Sequence, residues 1–172
     1  MIQTPRLIIR KFNEADAEDL HAYLSIPDTY RFEPGNPVSL EAARALAKDR
    51  STGDGFLAVE LKSTHTMIGH LYFDAIEPLA FKTWELGYIF NPRYHNNGYC
   101  SEAAKAIIEH GFCSMHAHRI IAHCNPLNHA SWRVLEKIGM EREGHFRKKA
   151  FFNRDVDNNP LWHDCYAYGI VE

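Results

Sequence analysis

Apolar and polar residues change period several times along the chain, and each change marks an element. The stretch "RLIIRKF" (6–12) is a run of Leu and Ile that predicts a strand. "NEADAEDLHAYLS" (13–25) places Leu20, Tyr23 and Leu24 at helical spacing behind an acidic first turn, which predicts a helix. "IPDTYRFEPGNPV" (26–38) is punctuated by prolines and reads as a long loop. "SLEAARALAKDRS" (39–51) predicts a second helix with Ser39 as its N-cap. The period then shortens. "GFLAVELKS" (55–63), "TMIGHLYFDAIE" (66–77) and "TWELGYIFN" (83–91) read as three strands, and the short gaps between them predict antiparallel pairing. Helical spacing returns over 98–112, with Ala103, Ile107 and Ile108 facing inward. "RIIAHCN" (119–125) reads as a strand and "HASWRVLEKIG" (129–139) as a helix stopped by Gly139. "GHFRKKAFF" (144–152) and "WHDCYAYGIV" (162–171) read as two last strands.

The order is strand, two helices, three strands, helix, strand, helix, two strands. It predicts an α/β domain with a mixed central sheet, antiparallel first, with a strand–helix–strand crossover in the second half. The 172 residues carry no linker, repeat or low-complexity segment, and one domain spanning 1–172 is expected. A composition of 45% hydrophobic and 24% charged residues belongs to a soluble globular protein. The net charge of −3 argues against a general grip on nucleic acid. No apolar run reaches membrane-span length and "MIQTPRLIIRKF" lacks a signal-peptide core, so no membrane partner and a cytoplasmic location are expected.

The four cysteines form no C-x-x-C pair and are expected to be reduced. "HGFCSMHAHRIIAHC" (110–124) gathers histidines and cysteines, which raises a zinc-binding interaction domain as one alternative. Against it, His123 and Cys124 are neighbours in a strand and so point to opposite faces. No metal is expected.

"NPRYHNNGYCSEA" (91–103) falls at the C-terminal end of a central strand, just before its crossover helix. Open α/β sheets bind ligands at that edge, and a helix N-terminus offers free N–H groups to an anion. The alternative is an ordinary strand-to-helix loop.

These segments together resemble the GNAT superfamily of acyl-CoA-dependent N-acetyltransferases, and within it the ribosomal-protein-alanine N-acetyltransferase branch. "TPRLIIRKF" is similar to the branch's opening strand, and "ELGYIFNPRYHNNGYCSEAAKAIIEHGF" to its coenzyme A segment, Q/R-x-x-G-x-G/A. "NPLNHASWRVLEKIGMEREG" follows its Asn-x-x-Ser, Glu-Lys-x-Gly and Glu-Gly series, and "HDCYAYGI" its closing strand. The resemblance implies a GNAT fold: a mixed, mostly antiparallel central sheet flanked by helices and splayed at the acyl-CoA site. It also implies transfer of an acetyl group from acetyl-CoA to a primary amine, through a ternary complex. A homodimer is expected by the same analogy. His95 stands where Gln or Arg is frequent, Asn96 and Asn97 where Gly-Lys is more usual, and Cys100 where Gly or Ala is usual. A side-chain cation is thereby lost from the loop.

By the same resemblance, His95, Asn96, Asn97, Gly98, Tyr99, Cys100 and Ser101 line a pyrophosphate cradle. A bulge in "WELGYIF" would splay that strand, with backbone groups of Ile89 and Phe90 meeting pantetheine. Asn128 and Ser131 would contact the coenzyme. Family members often protonate the leaving thiolate with a tyrosine, but Leu135 stands at that position and Ser131 is the substitute. Attack requires a neutral amine, hence a base. Glu85, which interrupts an apolar strand, is the candidate, and Asp164 with His163 beside it is the rival. Leu135 and the missing cation also raise a catalytically silent acyl-CoA-binding module as a second alternative.

Overall fold

The computed structural model describes residues 1–172. Eight strands form one sheet: β1 (Ile2–Gln3), β2 (Leu7–Lys11), β3 (Phe56–Leu61), β4 (Thr66–Ala75), β5 (Thr83–Phe90), β6 (Arg119–Cys124), β7 (Glu141–Ala150) and β8 (His163–Val171). Their spatial order is β1-β2-β3-β4-β5-β6-β8-β7. Every neighbouring pair is antiparallel except β5 and β6, which run parallel because a crossover helix separates them. The four helices are α1 (Ala17–Leu24), α2 (Leu40–Thr52), α3 (Tyr99–Met115) and α4 (His129–Lys137).

Helix α3 supplies the crossover. It turns Ala103, Ala104, Ile107, Ile108 and Gly111 to the sheet at helical spacing. The two alanines and two isoleucines join Leu7, Ile9, Leu71, Phe73, Leu86, Ile120 and Leu135 in the larger buried core. Helices α1 and α2 cover the other face over β3 and β4, where Phe12, Leu20, Tyr23, Ala47 and Met67 form a smaller core. His70 is buried there, its Nδ1 2.6 Å from the Tyr23 hydroxyl, and burial pushes its pKa well below the usual value. The entry to α1 is tied by Asp16, which closes a capping box with Asn13 and takes two bonds from the Arg10 guanidinium, at 2.7 and 2.8 Å.

The element order expected from the sequence is present, with boundary differences that have physical causes. Residues 14–16 form a 3-10 turn before α1, because the Asn13–Asp16 box tightens that turn. β7 begins at Glu141, not 144; it is the outer strand of the sheet and largely exposed, so it carries no apolar alternation to announce its start. The two-residue β1 extends the sheet beyond the first expected strand.

Candidate active site

The parallel pairing of β5 with β6 runs only from Thr83↔Arg119 to Glu85↔Ile121. Beyond that point β6 continues with β8 as far as Cys124↔Tyr166, while β5 continues with β4 as far as Phe90↔Gly69. The two central strands therefore part company, and a gap opens between them toward their C-terminal ends. The splay expected for an acyl-CoA site is present, but the bulge expected in "WELGYIF" is not. The β4–β5 register is unbroken; the shift lies between β3 and β4, where Ile68 is the extra residue. At the end of β5 the Phe90 ring folds over Gly69, where a Cβ would come within 2.7 Å of it.

Residues of an antiparallel ladder alternate between exchanging backbone bonds and facing away. Bonds from Ile76 N–H to the Thr83 carbonyl and from Asn91 N–H to the Ile68 carbonyl fix the phase here. Ile89, opposite His70, thus spends its backbone on β4, and its side chain packs toward the smaller core. Tyr88 and Phe90 turn their backbone groups to the gap instead. Of the expected pair Ile89 and Phe90, only Phe90 is so placed, and Tyr88 is the residue the sequence reading missed. The Phe90 carbonyl already receives the His95 ring, Nε2 to O at 2.9 Å. Tyr88 alternates with Leu86 and Phe90 along β5, and no motif marks it in the sequence.

The loop after β5 delivers the chain to α3 in two left-handed steps, Asn96 at φ +62° and Gly98 at φ +77°. Gly98 is the N-cap residue, and the left-handed region is where glycine carries no steric penalty. Six consecutive backbone N–H groups, Asn96 through Ser101, donate to no acceptor of the chain; the first helical bond is Glu102 N–H to the Gly98 carbonyl. Asn97 stiffens the turn by donating its amide to the Tyr94 and His95 carbonyls. Arg6, from the start of β2, caps this loop. Its Nη1 donates to the Asn97 carbonyl at 3.0 Å, and its guanidinium lies 4.5 Å from the Tyr99 ring centroid. A guanidinium from ninety residues upstream thus lies against the loop, with its charge paired to Glu102. Nothing in "TPRLIIRKF" announces that contact.

Across the gap, Asn128 caps α4 by accepting from Ser131 N–H at 3.2 Å, which leaves its amide NH2 without a partner in the chain. The Tyr88 hydroxyl donates to the Ser131 carbonyl at 3.0 Å and lies 3.2 Å from the Ser131 Oγ. Burial first, then the nearby Cys100, push the Tyr88 phenol well above its usual pKa. Burial likewise pushes the Cys100 thiol far up, which keeps it a neutral packing group. Leu135 is buried in the larger core. The Tyr88 hydroxyl reaches α4 from β5 through Ser131.

The two candidate bases separate. Glu85 shares a face with Ile121, His123, Ala167 and Cys165, by register and by two-residue alternation. It pairs with His123, Oε1 to Nδ1 at 3.1 Å, on the face opposite α3 and α4. Asp164 neighbours Cys165 and so points to the other face, where it bonds His145 at 2.7 Å and the Lys148 N–H at 2.9 Å. These bonds hold its carboxyl below the usual range, the Lys148 N–H most of all. His123 and Cys124 do point apart, and no group of three or more His, Cys, Asp or Glu side chains is arranged to hold a metal. A cavity of about 670 Å³ lined by Lys82, His116, His118 and Arg119 lies at the opposite end of β5 and β6.

A sheet parted at one parallel pair, with free N–H groups at the end of the parted strand, is the arrangement expected of an acyl-CoA site. Over residues 6–141 the sequence matches the acetyltransferase (GNAT) domain family. It is 39% identical to the uncharacterized N-acetyltransferase YnaD of Bacillus subtilis (strain 168), over 99% of this chain and 96% of that protein. It is 26% identical to the ribosomal protein uS5-alanine N-acetyltransferase of Escherichia coli (strain K12), over 84% of this chain and 79% of that one. The crystal structure of a GNAT-family acetyltransferase from Bacillus anthracis superimposes with a TM-score of 0.90 at 38% identity, covering 99% of this chain and 97% of the other. The chain belongs to the GNAT family and is an acetyl-CoA-dependent acyltransferase. No helix is long and apolar enough to cross a membrane.

Proposed function

We propose that the protein transfers an acetyl group from acetyl-CoA to a primary amine, the α-amine of a peptide N-terminus or that of a small molecule, by direct attack in a ternary complex. The parting of β5 from β6 beside the unpartnered N–H groups of Asn96–Ser101 carries this reading. The N–H groups and the helix dipole receive the pyrophosphate, with Arg6 adding charge at the rim. Pantetheine lies along the gap, where the backbone of Tyr88 and Phe90 offers bonds, and an N–H there polarises the thioester carbonyl. The Asn128 amide faces the coenzyme while its oxygen caps α4. Ser131 donates to the departing sulfur without ionising. Glu85, oriented by His123, stands on the face from which the acceptor approaches. A silent acyl-CoA-binding module drew its support from Leu135 and the absent cation; against it stand the hydroxyls of Tyr88 and Ser131 beside α4, and the Arg6 guanidinium, paired with Glu102, beside the loop.

An α-amine loses its proton near neutrality, at a pKa of about 7.7–8.0 against about 10.4 for lysine, which favours the N-terminal acceptor. The test is release of free coenzyme A thiol from acetyl-CoA with an alanyl peptide, a lysyl side-chain analogue and a linear diamine. Amine-dependent release with the peptide or the diamine supports the reading. Binding of acetyl-CoA with no amine-dependent release contradicts it.

A further inference from the structure

The face of the sheet turned away from α3 and α4 carries a histidine at the point where β5 and β6 part. Glu85↔Ile121 is the last parallel pair. Two residues on, by alternation, β6 presents His123 on this face and β5 presents Gly87 level with it across the opening. A Cβ added at Gly87 would meet only Tyr72 of β4, at 3.4 Å. At that level, therefore, no side chain of β5 stands between His123 and Tyr72. Tyr88, the next residue of β5, turns to the opposite side and joins Ser131 there.

His123 is held at one nitrogen only. Its Nδ1 lies 3.1 Å from Glu85 Oε1. A carboxylate accepts and does not donate, so Nδ1 carries the hydrogen and the lone pair of the neutral ring is left on Nε2. Nε2 has no partner in the chain, and the residue is exposed. His123 also lines a cavity of about 370 Å³ on this face, which runs back along β6 past Ile121 to the Arg119–Glu143 ion pair, with Phe146 of β7 at its side. The other titratable side chains of the face are Tyr72 and Asp74 of β4, the latter opposite Glu85; Arg119 and Glu143, paired with each other; His163 and Cys165 of β8; and Lys149 of β7, over the Phe146 ring. None of them bonds His123.

We propose that His123 is the catalytic base, taking the acceptor's proton at Nε2, and that Glu85 is its positioning residue, fixing the ring and its tautomer through Nδ1. The inference rests on the amine-transfer reading above and decides which member of the Glu85–His123 pair touches the acceptor. The acceptor's ammonium enters beside Gly87, and the part of the molecule beyond its amine lies in the cavity along β6. Nε2 takes one proton from the ammonium. The freed lone pair forms the C–N bond as the C–S bond breaks and its electron pair goes to sulfur. The nitrogen's remaining extra proton passes to the thiolate, and the His123 imidazolium later releases its own proton to water. While charged, the imidazolium faces the Glu85 carboxylate across the Nδ1–H bond, which stabilises it.

The test compares His123→Ala, His123→Gln and Glu85→Gln with the wild-type chain, using an alanyl peptide and a linear diamine as acceptors. Three quantities are read: kcat/KM as a function of pH, its recovery on adding imidazole, and acetyl-CoA affinity by calorimetry. For His123→Ala the expected result is a loss of about 100-fold in kcat/KM, disappearance of the acidic limb, partial rescue by imidazole and unchanged acetyl-CoA affinity. His123→Gln keeps a donor for Glu85 and so guards the local fold; it should lose as much, without rescue. Glu85→Gln removes the charge that favours the imidazolium, so it should lose less and keep the acidic limb, moved to lower pH. The reverse pattern, with the limb abolished in Glu85→Gln and only moved in the His123 variants, would overturn the assignment, make Glu85 the base and leave the transferase reading standing. A loss of acetyl-CoA affinity in both His123 variants would also overturn it, by placing the ring in the path of the donor. Acetyl-CoA binding by the wild type without turnover of either amine would overturn the assignment together with the reading beneath it.

Discussion

The Tyr88 hydroxyl bridges β5 to α4, donating to the Ser131 carbonyl at 3.0 Å and meeting the Ser131 Oγ at 3.2 Å. With its own proton committed to the carbonyl, the Tyr88 oxygen is left to accept from the Ser131 hydroxyl. That bond fixes the serine hydroxyl beside Tyr88. Burial keeps the phenol protonated.

Ser131→Ala is expected to lower kcat by about 10- to 100-fold, the range of a single lost transition-state donor, with little change in acetyl-CoA affinity. Tyr88→Phe should cost less, and should cost nothing further in the Ser131→Ala background, because the two act as one unit. A double-mutant cycle checks this. Additive losses, with Tyr88→Phe the larger, would make Tyr88 the acid.

Gly98 is held at φ +77°, and the nearest atom to an added Cβ is Arg6 Nη2 at an ordinary 3.6 Å. Space is therefore available and conformation is not. Gly98→Ala should cost about 1–2 kcal/mol of stability by urea unfolding, the penalty of a left-handed residue. Gly98→Glu should in addition abolish acetyl-CoA binding, since its carboxylate would enter the anion site. Retained affinity in the Glu variant would remove the cradle from this loop.

Glu33 and Glu60 predict opposite pH dependences of stability. Glu33 has a folded pKa of about 7 against an ordinary 4.5, so between those values the folded chain holds a proton that the unfolded chain has lost. Its contribution to stability is full below about pH 4.5 and is lost as pH rises to about 7. Glu60 is held below 4.5, chiefly by its bond from Arg10, so its contribution is present above 4.5 and lost as pH falls through its folded value. Between about pH 5 and 7 the wild type should therefore lose stability, by urea midpoint, relative to Glu33→Gln, while the buried His70 adds the same rise with pH to both. Equal slopes in the two proteins would place Glu33 in solvent.

Local pattern was enough for the order of elements, because each carries its own period: Ala103, Ile107 and Ile108 for α3, the Leu and Ile run for β2. The turn into α3 at Gly98 was likewise legible, because the turn signal of Asn91-Pro92 and the glycine bracket a short loop between strand and helix periods. What escaped depends on contacts distant in sequence. Tyr88 went unremarked because alternation reports a face and not what stands beyond it. Arg6 reaches the Asn97 carbonyl from another strand. Glu33 sits in a proline-rich loop with no period at all, so only the fold could show that its carboxylate lacks a partner. The missing bulge is a further case: strands can diverge by exchanging partners, β6 to β8 and β5 to β4, with no register shift in β5.

Calorimetric titration of the purified protein with acetyl-CoA, with desulfo-coenzyme A as comparison, tests the central claim most directly. Micromolar binding of both ligands, lost together in Gly98→Glu, is the result expected of a pyrophosphate cradle at Asn96–Ser101. Absence of binding to the wild-type chain would contradict the assignment of this gap and loop as the acyl-CoA site.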